Sequence, residues 1–318
     1  MADTPNKLAL VYGDSGLGVT CGPRTYLFSY AKGGPISLRD HGKEWLYRAP
    51  QPAFWRATTD NDRGNGFPKR AIQWLGADQF IDVAAPTITV DGTTLSELPI
   101  PPVNNHQTGQ ENATMVTLAY LFTTLTIPQT TVTVAYTVTV PGDLAVQVHY
   151  AGGAGLPELP CFGLRWVMPT EALGFDYTGL SGETYPDRMA GGVAGTYHVA
   201  GLPVTPYLVP QDCGMHMATT ALTITRQRTL NNADRDAAPF TLQWAADDQP
   251  FAFSCLPYLP EELENATHHS ELPPVHRTVL TIYGAVRGVG GIDSWGADVT
   301  APYRIDGQEA IDFRFKVG

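Results

Sequence analysis

The spacing of its turn formers limits this chain more than any other feature. With 32 glycines and 26 prolines in 318 residues, the backbone is interrupted every few positions and has little room for long helices. The intervals read as strands. Thr130–Val140 alternates threonine with apolar residues at period two, the pattern of a half-buried strand. Leu144–Tyr150 follows across Pro141-Gly142-Asp143, which predicts a hairpin. Leu222–Thr225 and Val279–Tyr283 have the same character. Helical signal is confined to Pro68–Leu75 and Pro260–Asn265, each opening on proline at a first-turn position. Strands do not alternate with amphipathic helices, which excludes a (β/α)₈ barrel and a doubly wound sheet. The expected fold is all-β, a large two-sheet antiparallel sandwich with few short helices, spanning 1–318 as one domain. Asn104–Thr114 is expected to be a long solvent loop.

Charge narrows the partners. The formal net charge is −11, so nucleic acid and anionic membranes, which require a basic face, are excluded as ligands. Charged residues make up only 16% of the chain, as expected if part of the surface is covered by another protein. Met1–Lys7 lacks the charged and apolar regions of a signal peptide, and no apolar run reaches the length of a membrane span. Cys21, Cys161, Cys213 and Cys255 are isolated in sequence and read as reduced, buried thiols, which points to the cytoplasm.

Three strings carry candidate chemistry. In Val286–Gly296 a glycine run ends on Trp295, with Asp293 and Ser294 before it; such a tryptophan is either a core plug or a platform for a ligand. Phe54–Gly64 contains Asp60, Asn61, Asp62 and Gly64. A calcium loop counted from Asp60 would need glycine at the sixth place and glutamate at the twelfth, where Asn65 and Ala71 stand, so no metal is expected. Gly182–Arg188 places Glu183, Tyr185, Asp187 and Arg188 together. Two carboxylates are what a glycosidase requires, but Asp187 and Arg188 read better as a pair fixing a loop through charge-assisted hydrogen bonds. His268, His269 and His276 lack metal-ligand spacing, and nucleotide-binding and serine-hydrolase motifs are absent.

Together these strings resemble the C-terminal β-sandwich domain of family 2 β-galactosidases. That family carries Phe-x-Arg-Ala-x-x-Asp-Asn-Asp-x-Gly, Glu-x-Tyr-x-Asp-Arg and Gly-Gly-x-Asp-Ser-Trp, matched here by Phe54–Gly64, Glu183–Arg188 and Gly290–Trp295. Tyr207–Gly214 is similar to its Tyr-x-x-Pro-Gln-Glu-x-Gly, with Asp212 in place of the glutamate. Ser181 stands where proline is common, and Ile292 where single-chain members carry an acid. The resemblance runs from about Leu8 to the end and is nearest to two-chain members from lactobacilli, in which a large subunit carries the catalytic barrel.

The resemblance implies a galactose mutarotase-like supersandwich acting as the small subunit of a heteromeric β-galactosidase. Both catalytic glutamates would lie on the large subunit, as would any Mg²⁺ and monovalent cation, leaving this chain without catalytic residues or cofactors. The reaction would be retaining hydrolysis of terminal β-D-galactosides such as lactose. Trp295 and Asp293 would contact substrate. Asp60, Asn61, Asp62 and Gly64 would belong to a mobile loop over the active site, with Gly64 and Gly66 as hinges. Glu183, Tyr185, Asp187 and Arg188 would be structural. Two alternatives remain. One is a free-standing carbohydrate-binding or mutarotase-like module, although the Asn-His-x-x-Phe type of string is absent. The other is an assembly domain with Trp295 in its core.

Overall fold

The computed structural model describes residues 6–318. Residues 1–5, part of the segment read for a leader, lie outside the described residues. Its strands form three antiparallel sheets of eleven, six and five strands. The eleven-stranded sheet makes one layer of a sandwich. The six-stranded sheet packs on part of it, as Phe28 against Tyr136 marks, and the five-stranded sheet covers another part, where Trp166 meets Trp244 and Phe315. The expected all-β, antiparallel fold is therefore present, with the second layer divided into two sheets.

The half-buried strands lie where alternation predicts them. Thr131–Thr139 buries its valines and Tyr136 and turns its threonines outward. It pairs with Asp143–Tyr150 through Thr139 opposite Asp143, the predicted hairpin. Pro260–Asn265 is helical. The Pro68–Leu75 signal resolves into a short helix, Phe67–Arg70, and a 3₁₀ turn, Ile72–Trp74, as the chain bends to bury Trp74. The expected loop at Asn104–Thr114 instead contains a 3₁₀ turn, Val103–Gln107, and a two-residue strand, Asn112–Ala113, that pairs with Leu8–Ala9. That pairing satisfies backbone groups on the edge of the six-stranded sheet.

The five-stranded sheet positions the candidate site. Cys161–Met168 and Phe251–Leu256 are buried at every position, so the sheet is covered on both faces. One face meets the sandwich core. Against the other lie connecting segments, with Ala57, Cys213, Leu256, Tyr258 and Leu263 forming a small second core. Arg165 projects from Cys161–Met168 into this covering layer, pairing with Asp78 at 2.7 Å and donating to the Trp55 carbonyl oxygen at 3.4 Å. A buried guanidinium needs such partners. All four cysteines are buried and unpaired. Among the described residues no helix is long and apolar enough to cross a membrane.

Candidate functional site

Phe54–Gly64, Glu183–Arg188, Tyr207–Gly214 and Val286–Gly296 converge at one edge of the five-stranded sheet. The active-site loop expected at Asp60–Gly66 is a helix, Asp60–Asn65. Thr59 and Asp62 cap its N-terminus reciprocally: the Thr59 amide donates to Asp62 Oδ2 at 3.0 Å, and the Asp62 amide to Thr59 Oγ1 at 3.2 Å. Gly66 ends it in the left-handed conformation, φ +74°. Gly64 is part of this helix rather than a hinge in an irregular loop.

Asp62 is 1% exposed and bridges two buried guanidiniums, Arg56 at 2.7 Å and Arg287 at 3.3 Å. Burial raises its pKa, but Arg56 and the Thr59 hydrogen bonds outweigh that and hold it below the usual carboxylate range. Arg287 also pairs with Asp298 at 2.5 Å and lies over the Phe67 ring at 3.8 Å. This network locks the helix to the strand leading into the glycine run. Asp62 is thereby held by contacts within the chain, in a helix where an irregular loop was expected.

The glycine run is held from three sides. Asp187 accepts from the Val289 amide at 3.0 Å and the Gly290 amide at 2.8 Å. Arg188 donates to the Gly290 carbonyl oxygen, and Asn61 Nδ2 to that of Val289 at 2.9 Å. Close approach requires the glycines: a Cβ on Gly288 would fall 2.7 Å from the Asp187 carboxyl carbon, and one on Gly291 2.7 Å from Asn61 Nδ2. Beyond the anchor, Asp293 Oδ1 accepts from the amides of Trp295 at 2.9 Å and Ala297 at 3.1 Å, shaping the turn that presents the indole. Trp295 is 92% exposed, which rules out the core-plug reading. Ile292, beside it, is 59% exposed.

Behind Asn61 opens a polar cleft of about 510 Å³ lined by Asp60, Glu183, Tyr185, Tyr207, Gln211 and Asp212, among others. Gln211 fixes the helix by accepting from the Asp60 amide at 2.7 Å. Asp212 is buried, accepts from the Tyr185 hydroxyl at 2.8 Å, and lies 4.0 Å from Arg56 Nε. Burial pushes its carboxyl up to about 7, against the pull of Arg56. Arg56, Arg287, Gln211 and Asp212 all sit inside the quoted strings, but their roles were not apparent from sequence. The available signal was two arginines in otherwise apolar or glycine-rich runs, where burial demands carboxylate partners.

The same strings can be compared with known proteins. The family model described as "Beta galactosidase small chain" matches residues 21–317. A β-galactosidase small subunit from Latilactobacillus sakei is 60% identical over all of this chain and 99% of its own length. A β-galactosidase from Streptococcus thermophilus is 29% identical over 99% of this chain, which spans 28% of that relative's length. Among solved structures, a putative aldose 1-epimerase from Escherichia coli K12 overlaps with TM-score 0.40 at 10% identity, covering 98% of this chain and 97% of its own, too loose a match to bear on site or activity.

Proposed function

The chain belongs to the β-galactosidase small-chain family, and from that premise we propose that it completes a β-galactoside-hydrolysing site on the barrel of a large partner subunit. The carrying observation is Trp295: a solvent-exposed indole on a loop held by Asp187, Arg188 and Asn61. An exposed aromatic on an ordered support suits stacking under the apolar face of a sugar once the partner excludes water. Exposed apolar side chains in the same strings, Ile292 and Leu208, suit coverage by another protein.

The chain's contribution is positioning and water exclusion. Retaining hydrolysis needs two carboxylates about 5–5.5 Å apart across the scissile bond. Here Asp187 is occupied by two backbone amides, Asp62 by two arginines and Asp212 by Tyr185. On this reading, as the resemblance to family 2 β-galactosidases implies, the nucleophile and the acid/base are carried by the partner's barrel. Four buried, unpaired cysteines suit a reducing compartment such as the cytoplasm.

Titration of the purified chain with the purified large chain tests the proposal. Neither alone should hydrolyse a nitrophenyl β-galactoside, and activity should rise to a plateau at a fixed stoichiometry. Appreciable turnover by this chain alone would overturn it.

A further inference from the structure

We propose that an apolar patch formed by Ile72, Leu75, Phe80, Leu125 and Ile127 is a docking surface for the large chain, extending its contact beyond the Trp295 loop. The inference rests on the two-chain reading and names a second surface that the partner covers.

Two segments far apart in sequence build the patch. Residues 71–81 and 121–130 carry one charged side chain between them, Asp78, and it is buried against Arg165. Gln73 Oε1 accepts from the Ile127 amide at 2.7 Å, which seats the turn after Thr123 against Ile72–Trp74. Asp82 pairs with Thr123, so Phe80 and Leu125 each lie two residues from the same strand pairing. The turn itself is inverted. Thr124 and Thr126 are buried with their hydroxyls 2.6 Å apart; Thr126 donates to the Pro128 carbonyl oxygen at 2.9 Å, and Thr124 accepts from the Thr130 amide at 3.1 Å. Leu125 and Ile127, which alternate with them, are exposed, Ile127 by 82%. A turn facing only water would bury the leucine and isoleucine and expose the threonines.

Area, position and charge select the occupant. Phe80 is 69% exposed, and Ile72, Leu75 and Leu125 between 41% and 56%. With Ile127 they leave roughly 600 Å² of apolar surface bare, at the upper end for a monomer and close to the ~800 Å² that one partner contributes to a stable interface. The patch is continuous with the Trp295 loop. A Cβ on Gly296, beside Trp295, would lie 3.3 Å from the Gly64 carbonyl oxygen, and Asp298 pairs at 2.6 Å with Arg70, two residues before Ile72. A partner seated on the loop therefore extends along Asp60–Arg70 onto the patch. A second copy is disfavoured, because two chains of net charge −11 repel one another as they meet. In the single-chain Streptococcus thermophilus relative the matching segment is 28% of a longer polypeptide, and the remainder is what a large chain would supply here.

The test is the dissociation constant of the two purified chains, measured by analytical ultracentrifugation. Ile127→Asp and Phe80→Asp alter exposed side chains, so each isolated variant should keep the wild-type circular dichroism and Tm. Each should raise the dissociation constant roughly thirtyfold or more, the effect of losing an interface anchor. Val11→Asp, at an equally exposed position on the six-stranded sheet, should leave it unchanged. Wild-type chains that associate, with constants unchanged in both patch variants or raised equally by Val11→Asp, would overturn the docking surface and leave the two-chain reading standing. Self-association of the isolated chain that Ile127→Asp abolishes, with binding of the large chain intact, would assign the patch to a second copy and overturn the proposal too. Failure of the wild-type chains to associate would sink the two-chain reading and this contact with it.

Discussion

Replacing Trp295 by alanine should separate a ligand platform from a structural residue. The indole is 92% exposed, so its removal deletes almost no packing, and subunit stability should change by no more than about 0.5 kcal/mol. The comparison is Trp74, fully buried against Phe54 and Tyr150, where Trp→Ala should cost about 3–5 kcal/mol. In the assembled enzyme the arithmetic differs. A sugar covering half of one indole face would bury roughly 50 Å², contributing about 1.2 kcal/mol at ~25 cal/mol per Å². Aromatic stacking adds about 0.5–1.5 kcal/mol, and together these correspond to roughly a tenfold to hundredfold loss in kcat/KM. If the indole binds ground state and transition state alike, KM should absorb most of that loss. The assay pairs steady-state kinetics of the reconstituted complex with thermal denaturation of the isolated mutant chain. Unchanged kinetics, or a large fall in Tm, would refute the reasoning.

Further outcomes follow from the network behind the loop. Asp187→Ala removes the acceptor for the Val289 and Gly290 amides, so hydrogen exchange there should accelerate while exchange in Thr131–Thr139 stays slow; uniform acceleration would indicate global destabilisation instead. Asp62→Ala leaves two buried guanidiniums without their shared carboxylate and should cost about 3–5 kcal/mol, measured by urea denaturation; a loss below ~1 kcal/mol would mean the pairs are not buried as described. Asp212 has a folded-state pKa raised to about 7, above its unfolded value, so the native state binds the extra proton and this group's contribution falls as pH rises from about 4 through 7. Asp212→Asn should therefore gain Tm relative to wild type as pH rises through 7, and a pH-independent difference would contradict the assignment.

Strands with one wet face were legible because their alternation survives in the sequence, as in Thr131–Thr139. Cys161–Met168 and Phe251–Leu256 were not, because both faces of their sheet are covered and period two disappears. Asp60–Asn65 resisted for another reason. Aspartate, asparagine and glycine favour turns, and this helix depends on Asp62 meeting Arg56 and, from the far end of the chain, Arg287. Its identity as helix rather than loop was therefore a tertiary fact. The site was legible in part. Spacing and resemblance singled out Trp295 and the Asp187–Arg188 pair, but nothing local to Tyr207–Gly214 indicated that Asp212 would be buried between Tyr185 and Arg56 beside a cleft.

The most direct test of the central claim is a structure of the two-chain enzyme with a galactosyl intermediate trapped by a 2-deoxy-2-fluoro galactoside. The account predicts the Trp295 indole within about 4–4.5 Å of the trapped sugar or of a saccharide acceptor beside it, with the Asp187 and Asn61 contacts to Val289 and Gly290 retained. Trp295 still facing solvent, or buried against protein far from the barrel's sugar site, would contradict it.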